Sequence, residues 1–184
     1  MQAERVEFEQ VADGLLKGAL EVHLDPQLTE KLRAAGLDLS KKFAPAYPAA
    51  QFYPWLIIAA RHRFPKLSEE EACREVGRLA VIVGMKSMFL GRAALTAMQL
   101  LGVRRSLKRI GSSFKHGNNY IEAKVVELGL TSMEVQLGPL VGPASYYEGV
   151  LEEGPKLMGA RSVQVTRVRA EGEHIAWRVD WTES

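Results

Sequence analysis

The stretch "ASYYEGVLEEGPKLMGA", residues 144–160, reads as a helix despite Pro155, and what flanks it decides the fold. Upstream, "NNYIEAKVVEL" (118–128) and "SMEVQLGPL" (132–140) are separated only by "GLT"; downstream, "RSVQVTRVRA" (161–170) and "HIAWRVDW" (174–181) are separated only by "EGE". Met133, Val135 and Leu137 alternate with Glu134 and Gln136. Ile175, Trp177, Val179 and Trp181 alternate with Ala176, Arg178, Asp180 and Thr182, which is the period of half-buried strands. Such pairs with short loops predict two hairpins. The second half of the chain is therefore β-β-α-β-β with an antiparallel sheet.

Toward the N-terminus the period changes to that of helices. "DPQLTEKLRAAG" (25–36) offers Asp25 as N-cap, Pro26 at the first helical position, apolar Leu28 and Leu32, and Gly36 to stop. A second helix begins at Pro48 or Pro54 and carries "WLIIAARHRF" to Pro65. Ser68 and Glu71 form a capping box, after which Ala72, Val76, Leu79, Ala80 and Val83 recur at helical spacing. Gly84 predicts a break or kink before "KSMFLGRAALTAMQLLG". Val103, Leu107, Ile110 and Phe114 then form one stripe of an amphipathic helix ending near Gly117. Helices first and hairpins after make the class α+β. The expected organisation is a single domain over residues 1–184, helical over about 10–117 and sheet over about 118–184.

The chain has 24 basic and 22 acidic residues, for a net charge of +2. Residues 103–120 hold Arg104, Arg105, Lys108, Arg109 and Lys115 with no acid, so the basicity is local. A nucleic-acid-binding domain carries a broader basic face, and this stretch lacks an interleaved aromatic platform, so DNA or RNA is not expected. A solvated helix face is the plain reading, and docking to a protein partner with an acidic surface is the functional one. A single cysteine, Cys73, excludes an internal disulfide. With no signal peptide at "MQAERVEFEQ" and no apolar run longer than "WLIIAA", a cytoplasmic protein without a membrane span is expected.

The element order, with "SYYEGVLEEGPKLMGA" leading into strands that end "WRVDW", resembles the superfamily of haem-nitric-oxide-binding (H-NOX) domains, vinyl-reductase-like small-molecule-binding domains and Bet-type subunits of the transport protein particle. The combination of "GLLKGAL", "YPAAQFYPWLIIAA", "ACREVGRLA", "FKHGNNY" and "YYEGVLEEGPKLMGA" resembles an uncharacterised family restricted to myxobacteria. The H-NOX resemblance implies haem held by a histidine on the helix before the sheet and by a tyrosine, serine, arginine motif. The only histidine of that helix, His116, follows the last apolar position, and "SYYEG" has no arginine at the needed spacing, so haem is not expected and no other cofactor is implied. The Bet-type resemblance implies an acyl chain on a cysteine near the start of a helix, the place Cys73 approximates; its plain reading is a small buried core residue.

No catalytic constellation is evident. His23, His62, His116 and His174 lie in separate elements without metal-ligand spacing, and no nucleophile elbow, phosphate loop or dinucleotide fingerprint is present. Glu69, Glu70 and Glu71 suit a helix N-terminus. Glu148 and Glu152 share a helix face at i, i+4, where acid–base work would need a pocket around them. Phe52, Trp55, Cys73, Met85, Met88 and Phe89 are the candidates for an apolar ligand pocket, against a plain reading as helical core. The expectation is a non-enzymatic regulatory or signalling module that binds a protein partner or a small apolar ligand, with a haem-based gas sensor or an acyl-chain-binding trafficking-like subunit as alternatives. A homodimer fits the general habit of small domains.

Overall fold

The computed structural model describes residues 3–87 and 91–183, with the side chains of 85–95, 97 and 98 outside that description. A short strand β1 (Val6–Phe8) runs into α1 (Glu9–Ala12), which continues as a wider π-helical coil over Asp13–Ala19. Helix α2 (Pro26–Ala34) starts as the sequence requires: Asp25 Oδ1 accepts from the Leu28 amide at 3.0 Å, and Pro26 occupies the first turn. Gly36 follows at φ +95°, a left-handed conformation suited to glycine.

Strand β2 (Ala46–Pro48) pairs antiparallel with β1, setting Glu7 opposite Tyr47. Sequence periodicity missed this pair because three residues are too few to show alternation. Helix α3 (Ala49–Arg63) begins directly after Pro48 and contains Pro54. The capping box holds: the Ser68 amide donates to Glu71 Oε2 at 2.9 Å and the Glu71 amide to Ser68 Oγ at 3.3 Å, opening α4 (Glu69–Ser87).

Two boundaries differ from expectation. Helix α4 runs through Gly84 without a break; one mid-helix glycine costs about 1 kcal/mol, too little by itself to end a long helix. The amphipathic stretch from Val103 is divided between the end of α5 (Gly91–Lys108) and α6 (Ile110–Gly117), with Arg109 between them. α5 kinks at Gly102, φ +73°. The turn at Arg109 lays α6 against the sheet, where a Cβ on Gly111 would stand 3.4 Å from that of Ala123.

Strands β3 (Glu122–Gly129), β4 (Ser132–Gly138), β5 (Ala160–Glu171) and β6 (His174–Glu183) form an antiparallel sheet in the order β3-β4-β6-β5. The pairings Met133↔Val179, Val135↔Trp177 and Leu137↔Ile175 align the predicted apolar positions on one face. That face is covered by α7 (Ala144–Leu157), which lies between the hairpins as the opening stretch implied. The architecture is α+β, and one contiguous core runs from Leu16 and Leu56 in the helices to Val135, Leu151 and Trp177 in the sheet half. No described helix is long and apolar enough to cross a membrane.

Candidate functional site

Helix α7 crosses α4 at backbone contact. A Cβ on Gly77 would fall 2.0 Å from the Tyr146 carbonyl oxygen, and one on Gly149 2.0 Å from that of Arg74. The close crossing brings Arg74 and Arg78 of α4 onto Glu148 and Glu152 of α7. Arg74 pairs with Glu148, and Arg78 Nη2 reaches Glu152 at 2.6 Å. Glu148 Oε1 also accepts from Arg167 Nη2 at 2.6 Å and from the Trp177 indole at 3.1 Å. Burial pushes the Glu148 carboxyl up, but hydrogen bonds from Arg74, Trp177 and Arg167 hold it below its ordinary value. These carboxylates are tied to arginines that fasten α7 to α4 and to the sheet, and neither lines the apolar cavity that lies beyond the crossing.

Beyond the crossing, α4 and α7 diverge. Between them, α1, the π-helical coil and the α5–α6 segment lies a cavity of about 350 Å³. Its deep wall is apolar and buried, with Leu15, Val103, Leu107 and Leu151 each at most 5 % exposed. All four members of the stripe Val103, Leu107, Ile110 and Phe114 line this space. Gln10 and Ser113, both exposed, mark its mouth, and the Gln10 side-chain amide donates to the His116 carbonyl across it. The described lining contains no charged residue and no histidine or cysteine. Its polar groups are Gln10, Ser106, Ser113 and Tyr146, with Met158 supplying a thioether. The Ser106 hydroxyl is buried without a hydrogen-bond partner; the Tyr146 ring packs against Tyr53 and Tyr147, and its hydroxyl makes no hydrogen bond among the described residues.

A buried polar cluster adjoins the cavity. Phe114 and Tyr146 pack against the Tyr147 ring at 6.1 and 5.2 Å. The Tyr147 and Tyr53 hydroxyls lie 2.6 Å apart, and Tyr53 and Tyr120 donate to Glu7 Oε1 at 2.9 and 2.5 Å. Burial pushes the Glu7 carboxyl up to about 7, although the hydrogen bonds from Tyr120 and Tyr53 pull it down. The loop after α6 clasps β1: Asn119 accepts from the Val6 amide at 2.9 Å and donates to the Glu4 carbonyl at 2.8 Å, and Asn118 bridges Glu7.

Phe52, Trp55 and Cys73 are buried core residues outside the cavity lining. Trp55 donates to the Ala35 carbonyl at 2.9 Å, and burial pushes the Cys73 thiol up to about 11, so it is protonated at neutral pH. The side chain of Met85, and Met88 and Phe89 altogether, lie outside the described residues. Of the basic set, Arg104 and Lys108 both pair with Glu127, whose carboxyl they hold down at about 2. Arg105, Arg109 and Lys115 are exposed and make no ion pair among the described residues. His116 is exposed, with Nδ1 2.6 Å from the Ser112 carbonyl. Sequence reasoning missed Tyr146, Ser106 and Glu7. A tyrosine in a predicted helix carries no signal of facing a hole, and Glu7 sits among acids that read as solvated.

The fold is that of H-NOX proteins. A mutant Cs H-NOX carrying 4-cyano-L-phenylalanine is similar at TM-score 0.72 and 13% identity, covering 95% of this chain and 96% of its own. An oxygen-binding H-NOX domain related to soluble guanylate cyclases is similar at TM-score 0.63 and 14% identity, covering 94% and 89%. An H-NOX mutant from T. tengcongensis is similar at TM-score 0.55 and 17% identity, covering 94% and 92%. At these identities the likeness concerns the fold alone. No curated protein matches. The family described as "Protein of unknown function (DUF2378)" matches residues 5–182, and the chain belongs to it.

Proposed function

We propose that the protein is a non-enzymatic regulatory module that binds a small apolar ligand in the cavity between its N-terminal helices and α7. The observation that carries this reading is the apolar cavity of about 350 Å³ with a polar mouth at Gln10 and Ser113. An apolar cavity of about 150 Å³ takes one benzene, so this space suits a molecule of a dozen or so heavy atoms. Glu148 and Glu152 are paired with arginines, Cys73 is protonated, and Glu7 is enclosed by Tyr53 and Tyr120 and does not line the cavity, which supports a binding role over an enzymatic one.

Two solved structures of this fold concern haem, one through haem distortion in the H-NOX family and one through haem redox potential. Our reading leaves haem out, and what supports this is the donor set: no histidine or cysteine to ligate iron, and no arginine or lysine to meet propionates, in the described lining. Docking to an acidic protein surface is the second reading, favoured by the exposed Arg105, Arg109 and Lys115, which make no ion pair among the described residues.

Naphthalene, with ten carbons, is the probe. It is expected to raise the thermal midpoint of the wild type saturably, and Val150→Phe, which fills the cavity, is expected to abolish that rise while the variant melts cooperatively. A wild type indifferent to naphthalene, or a filled variant that responds equally, would refute the assignment.

A further inference from the structure

We infer that the cavity ligand is an uncharged, largely apolar molecule with one oxygen-bearing head, and that Tyr146 and Ser106 are the hydrogen-bonding groups that fix this head. The inference rests on the reading of the cavity as a ligand site and adds the chemistry of what enters it.

Three observations lead there. First, the described lining holds no arginine, lysine or histidine, so a carboxylate or phosphate would be buried with no counter-charge, and no aspartate or glutamate, so an ammonium would be too. A neutral ligand is what such a wall admits. Second, the wall is not uniformly apolar. Buried hydroxyls normally find partners, yet Ser106 Oγ is buried without one; the hydroxyl of Tyr146, a half-buried residue of the lining, makes no hydrogen bond among the described residues. The neighbouring tyrosines, 53, 120 and 147, are all hydrogen-bonded. Burial pushes the Tyr146 phenol up, so it stays an O–H donor at any physiological pH. An unpaired donor costs the empty protein desolvation that an accepting oxygen on the ligand recovers.

Third, the two groups stand on different walls, Ser106 on α5 and Tyr146 on α7, while Leu15, Leu107 and Leu151 supply the apolar remainder. Each hydroxyl can donate to or accept from a ligand oxygen, and apart from Gln10 and Ser113 at the mouth and the Met158 thioether the other side chains of the lining are hydrocarbon. A few placed polar groups in an apolar enclosure set orientation and selectivity in this way.

Three probes of one shape separate the possibilities: naphthalene, 2-naphthol and 2-naphthoate, measured by calorimetric or fluorescence titration at pH 7. The expected order is 2-naphthol tightest, naphthalene about three- to tenfold weaker, the range one net hydrogen bond gives, and 2-naphthoate more than a hundredfold weaker than 2-naphthol. Tyr146→Phe and Ser106→Ala are each expected to bring 2-naphthol toward the affinity of naphthalene and to leave naphthalene itself unchanged, which also reports that the variant cavity is intact. Naphthoate within tenfold of naphthol would overturn the neutral head. Equal wild-type affinities for naphthol and naphthalene, or variants that bind both as the wild type does, would overturn the role of the two hydroxyls while leaving the cavity a ligand site. Binding of none of the three would overturn the site reading itself.

Discussion

Glu7 is the most unusual single residue. It is 3% exposed and has no cation within ion-pair distance among the described residues; two tyrosine hydroxyls are its hydrogen-bond donors. Its carboxyl is pushed up to about 7 in the folded chain, from an ordinary value of 4.5. The folded state therefore keeps a proton that the unfolded state has released, so this contribution to stability is complete below about pH 4.5 and is lost as pH rises through about 7. A shift of this size corresponds to about 3 kcal/mol. The thermal midpoint is expected to fall between pH 5 and pH 8, and Glu7→Gln, neutral and still able to accept from Tyr53 and Tyr120, is expected to flatten that fall. A variant with the wild-type slope would assign the dependence elsewhere. None of this was legible in "ERVEFEQ", where an acid among acids reads as solvated; its burial comes from β2, α3 and the α6–β3 loop, all distant in sequence.

At the scale of elements, the α4–α7 crossing sets the geometry of everything near it. Gly149→Ala places a methyl group 2.0 Å from a backbone oxygen, which cannot move without separating the helices and loosening Arg74 and Arg78 from Glu148 and Glu152. The loss is expected to exceed the 1–3 kcal/mol usual for overpacking, read from denaturant unfolding. Gly154→Ala, on the same helix with nothing within 4 Å of its new methyl group, is expected to be neutral or to stabilise by up to about 1 kcal/mol. Equal effects at the two positions would show helix propensity, not contact, at work. Local signals had marked the elements well where the physics is local: Asp25, Ser68 and Glu71 cap the helices they were expected to cap, and the alternation in β4 and β6 sets the sheet register. They failed at Gly84, because one glycine costs too little to end a long helix, and at Arg109, where the chain turns to lay α6 against β3.

For the whole molecule, the order of helices, hairpin, helix and hairpin was readable because each piece has its own period. The candidate site was readable only in part. The stripe Val103, Leu107, Ile110 and Phe114 was rightly read as turned from water, but periodicity cannot say whether such residues meet side chains or a space, and here they wall the cavity. The same whole-chain likeness raises the question of haem. A stable haem site needs an axial ligand and cations for the propionates. His116, on α6, is exposed and hydrogen-bonded to its own helix, while Arg104 and Lys108 are engaged by Glu127. Protein expressed with excess haem and purified by gel filtration is therefore expected to show no Soret band. Leu107→His, which sets an imidazole in the cavity wall, is the comparison. A Soret band gained only by this variant would mean that the fold still admits the macrocycle and that the missing ligand excludes it. A stable band in the wild type would mean that a ligand comes from beyond the described lining, and the apolar-ligand reading would give way.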